Sequence, residues 1–464
     1  CHGEAPFYAE VAAAVVTKEH LWKHSDTRNI ATLIYAFALS SQAPAQEAAF
    51  RTLATVTCSR VEEFGVQGLT NAIWGYATAC YAEQPWFAAV AAEIMRRPPA
   101  EFEPLDLANS LWAFATVPHA DRQVITQLKE MGVSTLNEFT AQNVAISMWS
   151  LATLEVRDES FFERAADFIV QHLSECKSQE LNNSLWACAT ASVRLPWLFI
   201  KADNHAMSIG LSEFKMHELS ITLWAHGMAG VCNHVFFDAV LEEIIERRGI
   251  WSCTPREVAN TAWAYSTIIG RSHAPWLAAV AAFTCERIGE FDMQCIGNIL
   301  WSFANIGVFS EPLFCSVCRE MTVRCDSAGS EAALNVSQVL SAVHAARFDD
   351  GPFLDAAAKL YLSLGSAVGG RELLILGNAM LSSQCALTHR ASLEAALDAR
   401  VLSPLLAAFP RRTAGAGDAG TACVASAGLA EAWAQFDATV CQLDLDHLGV
   451  HFTARLLLAS GVVS

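Results

Sequence analysis

Basic residues are scarce in this sequence: 30 Lys and Arg stand against 48 Asp and Glu, a formal net charge of −18 over 464 residues. Neutralisation of phosphates by cations supplies most non-specific affinity for nucleic acids, so this deficit is the hardest fact for any nucleic-acid reading. Long apolar runs are missing too. Asn, Ser, Glu or Arg breaks each apolar segment before it nears the roughly 18 residues of a membrane span, and a transmembrane chain is excluded. There is no HExxH, phosphate loop, dinucleotide fingerprint or G-x-S-x-G. No catalytic residue, cofactor or small-molecule substrate is therefore expected. Cysteine, at 15 residues, is too sparse for a disulfide scaffold. It falls at small-residue helix positions such as Cys188 and Cys295, which suits a reduced compartment. Cys315 and Cys318 have half of a metal-site spacing, but no companion CxxC or clear His partner, so no metal is expected. The chain starts at Cys1 rather than Met and reads as a fragment or processed form, its targeting peptide out of view.

What the sequence has is apolar mass, 53% of residues, and repetition. LTNAIWGYAT at Leu69, LANSLWAFAT at Leu107, LNNSLWACAT at Leu181, VANTAWAYST at Val258 and IGNILWSFAN at Ile296 are variants of one phrase. Its aromatic recurs as Tyr35, Trp74, Trp112, Trp149, Trp186, Trp224, Trp263 and Trp301, at intervals of 37 to 39 residues. Repeats of that length, each too small to bury both its faces, stack into extended arrays.

Each unit divides into two helices. Five residues before the aromatic stands an aliphatic (Ile30, Leu69, Leu107, Val144, Leu181, Leu219, Val258, Ile296), and in five units a Phe precedes that by five more (Phe64, Phe102, Phe139, Phe214, Phe291). The latter spacing is that of a hydrophobic staple at a helix start. Thr140, Thr254 and Asp292 fall at the implied N-cap, and acids follow at Asp106, Glu180, Glu218 and Glu257. The second helix opens on an aromatic pair or a Pro, as in QPWFAAVAAEIMRR and DESFFERAADFIVQHL. The fold expected is all-α, an α-solenoid of helix-turn-helix repeats with a right-handed superhelix and a concave surface. Residues 1–24 read as an N-terminal capping helix or partial repeat and 25–325 as eight clear repeats. Residues 326–410 read as degenerate repeats, with His344 in the aromatic position of a ninth, 411–420 as a Gly/Ala linker and 421–464 as a C-terminal cap or tail.

Two further columns are polar. Seven residues before the aromatic stand Arg28, Gln67, Leu105, Gln142, Gln179, His217, Arg256 and Gln294; three before it stand Thr32, Asn71, Asn109, Ile146, Asn183, Ile221, Asn260 and Asn298. Four apart, the two columns share one side of the first helix. They present a polar pair that reads one unstacked base per repeat, or else Asn bonds to a neighbouring repeat and forms a structural ladder. The aromatics themselves, flanked by small residues at helical spacing, are expected to be core, with Trp186 buried. The pairs Arg96-Arg97, Arg247-Arg248 and Arg411-Arg412 fit phosphate contacts or helix-end dipole partners.

The recurring phrase resembles the octotricopeptide and heptatricopeptide repeat families and the related FAST-kinase-like, RAP-associated proteins of algae and alveolates. The resemblance covers roughly residues 25–345, and the RAP domain that often closes such proteins is not recognisable in LDLDHLGVHFTARLLLASGVVS. It implies sequence-selective binding of single-stranded organellar RNA, a transcript or rRNA, in mitochondrion or plastid, acting in RNA processing, stability, translation or ribosome assembly. Two alternatives stay open: a scaffold whose groove holds a basic peptide, which the acidity favours, and a structural subunit of a large ribonucleoprotein.

Overall fold

The computed structural model describes residues 5–397, apart from 41–42, 118–120 and 386, together with residue 399. The linker and tail expected over 411–464, with Arg411 and Arg412, lie outside the described residues. The fold is all-α, a helical-repeat solenoid whose helices stack in sequential pairs. It divides into two compact units, Cys1–Val240 and Leu241–Ser464.

In the first unit the hairpins pair Thr27–Leu39 with Ala43–Cys58, Val66–Thr78 with Gln84–Arg96, Pro104–Thr116 with Arg122–Ser134, Ala141–Thr153 with Glu159–Gln171, and Ser178–Thr190 with Pro196–Ile209. The sixth first helix, Met216–Ala229, follows. In the second unit the pairs are Pro255–Ile268 with Ala274–Arg287, Met293–Ile306 with Glu311–Cys325, and Ala333–Ala345 with Gly351–Leu364. Within each unit the first helices pack closely on one another, while the second helices meet more sparsely. We call this closely packed layer of first helices the inner face. Small residues permit that approach: at Gly75 a Cβ would come 2.8 Å from Ile34 Cγ2 and 3.2 Å from the Ile34 carbonyl.

The local chemistry explains where each first helix begins. Thr140 and Asp292 accept from the backbone N–H of Asn143 and Cys295. Asp106, Glu180, Glu218 and Glu257 reach back to the N-cap N–H of Glu103, Lys177, Lys215 and Thr254 at 2.7–3.1 Å. The staple residues Phe64, Phe102, Phe139, Phe214 and Phe291 are all buried, as is the whole aliphatic column from Ile30 to Ile296.

The core aromatic is not the one the repeat phrase suggests. Trp74, Trp112, Trp149, Trp186, Trp224, Trp263 and Trp301 are half-buried, and Tyr35 is 40% exposed. The residue two positions later is the one sealed inside: Phe37, Tyr76, Phe114, Leu151, Cys188, His226, Tyr265 and Phe303. The reason is angular. At about 3.6 residues per turn, a residue seven after the buried aliphatic returns to its face, whereas one five after it is swung about 140° away. The ninth repeat is also re-registered. Gln338 Nε2 donates to Asn298 Oδ1 at 2.9 Å, so Gln338 takes the Asn position and Ser341, not His344, stands where the tryptophan would.

Arginines at the ends of second helices tie four hairpins to the turns that lead into them. Arg60 donates to the carbonyls of Trp22 and Ser25, Arg97 to that of Phe64, Arg287 to that of Cys253, and Arg324 to those of Phe291 and Ile288. Arg97 is also held by buried Glu93, and Arg248 by buried Glu243. These two side chains are thus engaged within the fold, whereas their neighbours Arg96 and Arg247 are exposed. Arg324→Ala should cost about 1.5–3 kcal/mol, the range for hydrogen bonds made by a charged group, read as a lowered urea midpoint by circular dichroism.

Candidate functional site

The two polar columns, the aromatic column and a fourth position four residues beyond it fall on one stripe of each first helix. In the fifth repeat they are Gln179, Asn183, Trp186 and Thr190, spaced four, three and four, which keeps them on one face. That face is open. Arg28, Gln67, Leu105, Gln142, Gln179, His217, Arg256 and Gln294 are exposed, and Asn71, Asn109, Ile146, Asn183, Ile221, Asn260 and Asn298 are half-buried, while Thr32 is exposed. The fourth position is Thr78, Thr116, Thr153, Thr190 and Thr267 in five repeats.

The hydrogen bonds separate two neighbouring asparagines. Asn182 is buried, and its Oδ1 accepts from Thr222 of the next repeat at 3.5 Å. At the equivalent position of another repeat, Thr70 donates to Asp106 at 2.8 Å. A structural ladder between repeats does exist, but one residue before the expected column. Among the described residues the amides of Asn71, Asn109, Asn183 and Asn260 bond to nothing, and Asn298 alone of the column spans repeats, to Gln338. An accessible amide without a partner within the protein is a donor and acceptor left for something else.

The electrostatics of the stripe differ from those of the chain. None of its four positions carries a carboxylate in any of the eight repeats, whereas Arg28, Arg256 and His217 lie on it. Three of the four acids of the first helical turn do not intrude: Asp106, Glu180 and Glu218 are buried in their capping bonds, while Glu257 is half-buried. Two of the cations are partly neutralised, Arg28 by Asp26 and Arg256 by Asp292 of the next repeat, each at 3.2 Å. Acids are not confined to the outer side. Eleven residues before the aromatic, on the short turn that precedes the first helix, stand Glu63, Glu101, Glu138, Glu175, Glu213 and Glu290, all exposed. This row escaped the sequence reasoning, although its fixed offset was there to find.

The aromatics meet between repeats. Tyr35 stacks on Trp74 with ring centroids 5.0 Å apart, Trp74 lies 5.9 Å from Trp112, and Trp149 lies 6.0 Å from Trp186, with interplanar angles of 28–33°. An aromatic strip thus runs beside the open amides.

Other candidate chemistry is placed elsewhere. Cys315 and Cys318 lie in the second helix Glu311–Cys325, where burial pushes the Cys318 thiol well above its usual range. Among the described residues no group of three or more His, Cys, Asp and Glu could hold a metal, and no helix is long and apolar enough to cross a membrane. His226 is a packed core residue.

Comparison with known proteins gives a family. The model described as RNA-editing substrate-binding complex 6 protein (RESC6) matches residues 9–247, just over half of the chain. The match supports the helical-repeat, RNA-associated class that the repeat phrase implies, but not the octotricopeptide and heptatricopeptide families in particular. No curated protein matches the chain.

Proposed function

The chain belongs to the RNA-editing substrate-binding complex 6 protein family, and on that premise we propose that it is a binding subunit of an RNA-editing substrate-binding complex whose inner face holds single-stranded RNA. Of the two organelles that the repeat resemblance implies, the mitochondrion is the one we assign. The observation that carries this reading is the first-helix stripe: open amides at Asn71, Asn109, Asn183 and Asn260, no carboxylate at any of its positions, in a chain with net charge −18. A surface freed of negative charge within so acidic a protein tolerates a polyanion where the rest repels it. Gln179 and Asn183, with their counterparts Gln67 and Asn71, Leu105 and Asn109, Gln142 and Ile146, and Gln294 and Asn298, would face base edges.

A scaffold for a basic peptide remains the second reading, favoured by the exposed row from Glu63 to Glu290. The two are separated by crosslinking the protein to RNA and sequencing what is recovered, for wild type and for Gln179→Ala with Asn183→Ala. The variant should shift base preference at one position of the bound RNA while recovery persists. No RNA from the wild type, or an unaltered preference, would sink the pair as a reader.

A further inference from the structure

The aromatic strip is broken at two places in the first unit. Trp74 has a ring on either side, Tyr35 from the repeat before and Trp112 from the repeat after. Trp149 and Trp186 cover one face of each other. Among the described residues no ring contact joins Trp112 to Trp149, or Trp186 to Trp224, although each pair belongs to adjacent repeats whose first helices pack together. The outer faces of Trp112, Trp149 and Trp186 are thus left without an aromatic neighbour.

Their indole nitrogens also differ from those of the core tryptophans. Trp86 and Trp276, on second helices, bury their Nε1 without a partner. The strip tryptophans are half-buried, and none of their nitrogens is among the buried, unpartnered atoms. A half-buried Trp in seven of the eight repeats is a poor use of apolar surface if packing is its only task, since the core position two residues later already fills the interior.

We propose that bases of a single-stranded RNA stack on the free ring faces at these breaks, between Trp112 and Trp149 and between Trp186 and Trp224, while the amides of Asn109 and Asn183 meet base edges beside them. The inference rests on the RNA reading above and adds residues to it that the repeat pattern assigns to the core. Stacking suits a site that must accept any base, because every base has a π-face and a neutral ring needs no help from cations. Where rings already touch, as on both sides of Trp74, no base can enter. The strip therefore contributes to binding only at its interruptions.

The test is fluorescence anisotropy of a labelled, mixed-sequence single-stranded RNA with the full chain. Trp149→Leu should weaken binding roughly 5- to 100-fold, the range for loss of one base–aromatic stack. Trp149→Phe, which keeps a ring, should stay within roughly threefold of wild type. Trp74→Leu, whose ring faces are both taken, should change affinity less than about twofold. The stacking proposal is overturned if Trp74→Leu and Trp149→Leu behave alike, or if Phe fails to rescue where Leu is impaired. Loss of binding in Gln179→Ala with Asn183→Ala but in no Trp variant would remove the stacking and leave the RNA reading intact. A wild-type chain that binds no RNA removes both.

Discussion

Asp203→Ala is expected to destabilise the first unit by about 3–5 kcal/mol, the cost of removing one partner from a buried ionisable pair. Asp203 and His226 are both fully buried, with His226 Nε2 2.9 Å from Asp203 Oδ1. His226 Nδ1 lies 3.0 Å from the Val231 carbonyl, which can only accept, so that nitrogen carries a hydrogen. Asn233 Nδ2 donates to the second Asp203 oxygen at 2.9 Å. Truncating the aspartate strands the imidazole, buried between Phe199, Phe236 and Phe237, together with the Asn233 amide. The same junction elsewhere in the protein is apolar. Ala91 and Phe114 occupy the corresponding positions between the second and third repeats and are equally buried. The double variant Asp203→Ala with His226→Phe reproduces that pair and should recover most of the loss, because replacing both members of a buried polar pair is nearly neutral where removing one is not. Urea denaturation followed by circular dichroism reads both; a double variant no more stable than Asp203→Ala would show that the polar network is required as such.

Glu93→Ala should cost about 2–4 kcal/mol by the same physics, with an acid-dependent signature. Glu93 is 4% exposed and accepts from Arg96 Nη2 at 2.8 Å and Arg97 Nε at 2.7 Å. Arg97 in turn donates to the Phe64 carbonyl at 2.6 Å, so the carboxylate orients the residue that joins the second repeat to its own leading turn. Burial pushes the Glu93 carboxyl up, but hydrogen bonds from Arg96 and Arg97 together with their charges hold it below its usual 4.5. A carboxyl depressed in the folded state stabilises fully above its unfolded value and loses that contribution as pH falls through its folded value. The stability gap between wild type and Glu93→Gln should be constant near neutrality and narrow only below 4.5. A gap unchanged in acid would mean that Glu93 acts through packing rather than charge.

The hairpin boundaries were legible because caps, staples and the aliphatic column are local signals: Thr254 with Glu257 and Phe139 with Val144 mark helix starts whatever surrounds them. The identity of the inner face was only half legible. Gln179 and Asn183 are four apart and point to one side, yet Trp186, three further on, lies on that same stripe and not with Leu181. Abundance of apolar residues misled here, since a conspicuous Trp draws attention from the less uniform column of Tyr76, Phe114, Cys188 and His226 that fills the core. The division of labour between Asn182 and Asn183 lay beyond one-dimensional pattern, because it depends on which of two adjacent side chains reaches Thr222 in the next repeat. The arginine ties were invisible for a related reason. Their partners are backbone carbonyls more than thirty residues away in Arg97, Arg287 and Arg324, and backbone acceptors leave no trace in a sequence.

The inner-face assignment is tested most directly by photocrosslinking the full chain to single-stranded RNA and locating the nucleotide adducts by mass spectrometry. Adducts should map to the first helices, on peptides that carry Asn109, Trp149, Asn183 or Trp186. Adducts confined to the second helices, such as Arg122–Ser134 or Glu159–Gln171, would contradict it.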